Sequence, residues 1–188
     1  MAGKTMLETE RLLLREFDED DAAAFYPLGS DPAILRYTGD PGGGLKSVEH
    51  ALEILRLHPL ADYRKHGFGR WACVHKASGE VIGSSGPKYL DDLGEVDLGY
   101  RLLPAYWGRG LATEAGRAVL DFSFRHLRLG RIIGLVNPRN PASVRVLEKI
   151  GMMSVGVLEY QGRSWAKYVA RAGGLTEGSA ATTPRSGR

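Results

Sequence analysis

The chain has a single cysteine, Cys73, in 188 residues. A lone thiol excludes an intrachain disulfide, and in its apolar run no histidine is clearly paired with it to make a nucleophile. No stretch is apolar for long enough to be a signal peptide or a membrane span. A reducing cytoplasm is therefore the expected compartment. The five histidines (His50, His58, His66, His75, His126) fall into neither an HExxH pattern nor a Cys–His spacing suited to zinc, so no metal is expected. Charge of one sign is scarce as well: 25 Lys and Arg are interspersed with 22 Asp and Glu. With no basic run, a small anionic ligand fits better than a nucleic-acid duplex, and no membrane partner is expected. Large apolar residues are almost absent from 172–188, which reads as a disordered tail behind a single domain over 1–171.

What remains is an alternation of hydrophobic periods. Strands are predicted over 7–17, 68–76, 81–89, 95–103, 131–136, 152–158 and 164–170. Helices are predicted from an acidic start at 18–21, from a Ser47 cap through about 65, over 109–128 and over 141–150. The run 40–44 is too rich in glycine for regular structure. The fold class is mixed α/β: a mostly antiparallel twisted sheet of about seven strands flanked by about four helices.

One junction carries chemistry. Gly108-Arg109-Gly110 stands directly before a helix whose Ala112, Ala115, Val119 and Phe122 share a face. A helix start offers four N–H groups without intrahelical acceptors and the positive end of the macrodipole, and glycines let a diphosphate approach the backbone. The same glycines could simply make a strand-to-helix turn. A dinucleotide fingerprint would need glycine where Thr113 stands, and a P-loop would need glycine where Leu45 interrupts Gly42 to Ser47.

Three motifs in order resemble the GNAT superfamily of N-acetyltransferases, closest to its ribosomal-protein N-terminal acetyltransferase (RimJ/RimL-like) branch. They are Gly99-Tyr100, Trp107-Gly108-Arg109-Gly110-Leu111-Ala112-Thr113-Glu114-Ala115, and the helix opening at Asn140 with Ser143 and ending at Gly151. The resemblance implies acetyl-CoA as cosubstrate and a primary amine, on a small molecule or a polypeptide N-terminus, as acceptor. It implies that the amides from Arg109 through Leu111 and Ala112 to Thr113 hold the pyrophosphate. Leu102 and Leu103 would pair with the pantetheine arm along their main chain, with Asn140 and Ser143 on its far side. Trp107 departs from the Gln or Arg that the superfamily often carries at that place, in agreement with the narrower branch.

Transfer to an amine needs a neutral nitrogen, stabilisation of the carbonyl oxygen and a proton for the leaving sulfur, but no covalent intermediate. That suits a chain whose Gly83-Ser84-Ser85-Gly86 lacks the G-x-S-x-G spacing. The alternation from Glu95 to Leu102 puts Glu95, Asp97 and Arg101 on one face, where two acids should raise one another's pKa. Asp97 and Glu159 are the candidate bases, with Glu95 behind them; a solvated polar face is the plainer reading. Many superfamily members place a proton-donating tyrosine where Leu147 stands, which leaves Ser143 as the candidate donor. An acyl-CoA-binding sensor without turnover and an ATP-binding enzyme using 42–47 are the rival functions. A monomer and a homodimer both fit.

Overall fold

The computed structural model describes residues 3–38 and 43–173. Asp40, Pro41 and Gly42 of the predicted glycine-rich loop, and the tail from 174 onward, lie outside the described residues.

The strand expected over 7–17 is a hairpin, β1 (Thr5–Glu8) and β2 (Leu12–Arg15), paired antiparallel. Thr9 makes the turn: its Oγ1 accepts from the Leu12 N–H at 3.0 Å and its own N–H donates to the Leu12 carbonyl at 2.8 Å. The acidic start is a capping box. Asp18 accepts from the Asp20 N–H and the Asp21 carboxylate accepts from the Asp18 N–H, opening a short 3-10 turn and then α1 (Ala22–Ser30) and α2 (Pro32–Thr38). Ser47 caps α3 (Val48–Leu57) by accepting from the His50 N–H. The single helix expected to run to 65 breaks at His58, which takes φ −119° and ψ −85°, and resumes as α4 (Pro59–His66). Pro59 has no N–H to continue the ladder and pushes the residue before it out of helical geometry.

β3 (Trp71–His75), β4 (Val81–Leu90) and β5 (Glu95–Leu102) form the expected antiparallel meander. They are followed by α5 (Leu111–Arg125), β6 (Arg131–Val136), α6 (Pro141–Lys149), β7 (Met153–Tyr160) and β8 (Arg163–Arg171). The eight strands among the described residues belong to one sheet, ordered β1-β2-β3-β4-β5-β6-β8-β7.

Strand alternation sorts the helices between the two faces. On β3, Ala72 packs with Phe17, Ala22 and Leu55 under α1 and α3. Trp71 and Cys73 point the other way, into the larger core with Val119, Leu120 and Leu147 from α5 and α6. Trp71 is fully buried and meets Phe122 edge-to-face, with centroids 5.4 Å apart. Each such large side chain stabilises the fold by roughly 1.5–3 kcal/mol.

The sheet is not continuous along its length. β5 and β6 run parallel and share one partner pair, Asp97 opposite Ile133. Past it the Leu135 N–H donates to the Asp97 carboxylate at 3.1 Å rather than to a strand carbonyl. A side chain thus ends the ladder where the two strands part.

Candidate active site

A cavity of about 1100 Å³ occupies the gap between β5 and β6. Asp97, Gly99 and Arg101 line it from the α1–α4 face of the sheet, Tyr100 and Leu102 from the α5 face, and Leu135 and Val136 from β6. The space therefore passes through the sheet from one face to the other.

At the α5 mouth stand Trp107, Gly108, Gly110, Leu111, Ala112 and Thr113. Gly108 and Gly110 hold φ of +72° and +77°, a left-handed geometry that a side chain disfavours by about 1–2 kcal/mol. The first intrahelical bond of α5 runs from the Glu114 N–H to the Gly110 carbonyl, and no side chain caps the helix. The amides of Leu111, Ala112 and Thr113 thus lack intrahelical acceptors at the positive end of a fifteen-residue helix. Glycine freedom and uncapped amides fit a diphosphate. Arg109 lies 5.3 Å over the ring of Tyr106.

The loop is locked from outside. Glu114 accepts from Thr9 Oγ1 (2.6 Å), from the Arg11 N–H (2.9 Å) and from Arg11 Nε (2.7 Å), while Arg11 Nη1 donates to the Arg109 carbonyl (2.9 Å). Burial works to raise the Glu114 carboxyl, but the bonds from Thr9 and Arg11 outweigh it and hold it below the usual carboxylate range. Nothing local in the sequence signals this lock, because its partners lie about a hundred residues apart.

The residues expected along the arm are partly engaged with one another and with their neighbours. Leu102 offers its carbonyl to the Trp107 indole N–H (2.7 Å), and the Leu103 N–H donates to Ile82 on β4 (2.9 Å). Across the gap Asn140 caps α6, accepting from the Ser143 N–H at 3.1 Å. Ser143 meets Tyr100 twice: the phenol donates to the Ser143 carbonyl (2.9 Å) and accepts from Ser143 Oγ (3.2 Å). Burial, above all, pushes the Tyr100 phenol up to about 12, so it stays protonated and able to donate. Leu147 lies in the core, 2% exposed, and does not line the cavity. Tyr100, which the sequence offered only as part of a motif, is the phenol that the structure sets beside Ser143.

The candidate acids are dispersed. Asp97 is buried and lines the cavity; its Oδ2 pairs with Arg70 Nη2 and its Oδ1 takes the Leu135 N–H. Arg70 Nη1 also donates to the main-chain carbonyls of Gly86 and Asp97. The guanidinium can lie there because residue 99 is glycine: a Cβ at Gly99 would fall inside it. Glu95 is outside the cavity lining and pairs with Lys167 and Arg131. Burial alone would raise its pKa; Lys167 and Arg131 outweigh that and lower it. The expected mutual raising of two neighbouring acids therefore gives way to a row of separate ion pairs. Glu159 is exposed, accepts from Ser164 Oγ and does not line the cavity, although Tyr160, Gln161 and Arg163 beside it do.

The other mouth is walled by α1–α4, through Phe25, Ile34, Tyr37, Ile54, His58 and Asp62. Burial and the charge of Lys88 lower the His58 pKa. In the former P-loop candidate the Ser47 hydroxyl is engaged as the α3 cap and Lys46 Nζ donates to the Gly43 carbonyl. Cys73 is fully buried, and burial pushes its thiol far up, away from nucleophilic use. Among the described residues no group of three or more His, Cys, Asp or Glu could hold a metal ion, and no helix is long and apolar enough to cross a membrane.

The profile of the acetyltransferase (GNAT) domain matches residues 11–153. The protein YkkB of Bacillus subtilis, described only as uncharacterized, is 34% identical over 173 residues, covering 90% of this chain and 95% of its own. A crystal structure of an acetyltransferase from Agrobacterium tumefaciens, 28% identical, superposes with a TM-score of 0.75 over 88% of this chain and 93% of that one. The ribosomal-protein-S5-alanine acetyltransferase from Vibrio fischeri, 21% identical, shares the fold with a TM-score of 0.71 over 91% and 98%.

Proposed function

The chain belongs to the acetyltransferase (GNAT) domain family, and from that premise we propose that it moves an acetyl group from acetyl-CoA directly to a primary amine while both substrates are bound. The observation that carries this reading is the split between β5 and β6: one cavity joins an uncapped, glycine-initiated helix start on one face to a separate walled pocket on the other. Donor and acceptor can enter from opposite faces and meet at the gap. The reading places the protein in the reducing cytoplasm, as one domain over 1–171.

In this reading the amides of Arg109 to Thr113 hold the pyrophosphate, and Asn140 and Ser143 flank the pantetheine arm opposite Leu102 and Leu103. The amine nitrogen attacks the thioester carbonyl, the C–S bond breaks, and the thiolate leaves toward the Tyr100–Ser143 pair, where the Ser143 hydroxyl turns from Tyr100 to donate a hydrogen bond to the sulfur. The surplus proton on nitrogen passes through water toward Asp97, whose oxygens each keep a free lone pair beyond the bonds from Arg70 and Leu135. An α-amine titrates near about 8 and a lysine amine near about 10.4, so an α-amine needs less help from a base. Glu159 is retained as the alternative base, with Glu95 as a third candidate behind both. The RimJ/RimL-like branch rests on the three sequence motifs; its solved relative at 21% identity supports the fold alone.

The test is release of free CoA thiol from acetyl-CoA in the presence of peptide N-termini, polyamines and small primary amines, with calorimetric titration of acetyl-CoA alongside. Amine-dependent release is expected. Tight binding without release for any amine would replace the transferase with a sensor. Asp97→Asn and Glu159→Gln, made separately, should leave acetyl-CoA binding intact and at least one should slow transfer; unchanged rates in both would remove the proposed bases.

A further inference from the structure

The walled pocket has the wrong charge for a polycation. On the sheet face under α1–α4, the cavity is lined by Arg70, Lys88, Arg101 and, at the rim, Arg163, against the acids Asp62 and Asp97 among the described residues. Asp97 is already spent on Arg70. Lys88 sits on β4 with Asp97 as its Cα partner on β5, one strand from the gap, and its ammonium makes no hydrogen bond or ion pair with any described residue. A half-buried ammonium without a partner costs free energy that an anion beside it would offset. Burial first, and then the charge of Arg70, lower the Lys88 pKa, whereas Asp62, Asp97 and Asp91 support its charge only at a distance.

Resting on the transferase reading, we propose that the acceptor is a small amine carrying a carboxylate, that Lys88 takes this carboxylate at the floor of the α1–α4 pocket, and that polycationic amines are excluded. One unpartnered cation at the floor matches one negative charge, and the guanidinium of Arg70 is occupied by Gly86 and Asp97. A carboxylate on Lys88 leaves its amine beside Asp97 and the split. Apolar side chains on such an acceptor would meet Phe25, Ile34 and Tyr37.

The experiment compares α-amino acids with their amides, the amines left by removing the carboxylate, and spermidine. Wild type, Lys88→Gln and Lys88→Arg are each assayed by thiol release for kcat/KM. Thermal midpoints establish that the variants are folded, and calorimetry measures amino-acid binding to the CoA-bound protein. A charge-assisted hydrogen bond lost or left unmade predicts that the amino acid exceeds its amide by about tenfold to a hundredfold. Lys88→Gln should abolish that preference by lowering kcat/KM for the amino acid far more than for its amide, and Lys88→Arg should restore part of it. Better use of the amide or of spermidine by wild type would overturn the proposal and leave the transferase standing. An equal loss on every acceptor in Lys88→Gln would make Lys88 part of the chemistry and also overturn it. Carboxylate-selective, Lys88-dependent binding with no thiol release would do the reverse, keeping the ligand class while removing the transferase.

Discussion

Replacing Arg70 by methionine tests whether the parting of β5 and β6 is held by a buried ion pair. The two side chains are 22% and 10% exposed, and the substitution deprives three acceptors of a donor: the Asp97 carboxylate and the carbonyls of Gly86 and Asp97. Breaking a fully buried pair from one side costs about 3–5 kcal/mol, mostly for the stranded charge. Because Arg70 is about one-fifth exposed, solvent screening reduces this to about 2–4 kcal/mol. For a chain of this size that is roughly a 4–16 °C drop in Tm. Asp97→Asn keeps an oxygen for the Leu135 N–H and should cost less, about 1–2 kcal/mol. The double variant removes both charges and should be more stable than Arg70→Met alone by about 1–2 kcal/mol. Urea unfolding of the four proteins, followed by circular dichroism, reads all three terms. Strict additivity of the single losses, or an Arg70→Met loss within about 0.5 kcal/mol of zero, would show that the pair does not hold the junction.

Glu114→Gln should weaken acetyl-CoA binding without touching the ligand, by loosening the Arg11 grip on the Arg109 carbonyl, as calorimetry would show. The lowered Glu114 carboxyl stabilises the fold above its unfolded pKa of about 4.3 and loses that effect as pH falls through its lower folded value. The stabilities of wild type and Glu114→Gln should therefore converge in acid, and a constant gap would contradict the lock. Tyr100→Phe removes the phenol from both its bonds to Ser143. It should lower kcat by about tenfold, short of the hundredfold or more seen when an oxyanion donor is lost, with acetyl-CoA affinity little changed; an unaltered kcat would free Tyr100 of any part.

What the sequence made legible was local. The strand order from β3 to β8, the glycine-initiated α5 and the helix that opens at Pro141 each depend on residues within a few positions of one another, and the structure has them where spacing put them. The β1–β2 turn escaped because Thr9, which closes it, sits inside a run that reads as one strand. The break at His58 was available from Pro59 and the restriction it places on its predecessor. The site was harder. Asp97 was found by alternation along β5, but its meaning depends on Arg70, twenty-seven residues earlier, and on Leu135, thirty-eight later. Alternation showed two acids on one face; only the fold showed that Lys167 and Arg131 claim one and Arg70 the other. Lys88 gave no signal, since an unpartnered lysine looks in sequence like any solvated one.

The division of the cavity between the two faces also divides it along the chain. The wall of the α1–α4 pocket comes largely from residues before β3, while the glycine loop and the α6 cap follow β5. Substitutions in α1–α4 can therefore redraw the pocket without disturbing the loop, since the strands of the meander stand between them. On the proposed function, such an arrangement would let variation in the early helices change the acceptor while the loop that faces the donor stays as it is. Arg70 and Lys88, on the sheet between the two regions, are the positions where that independence stops.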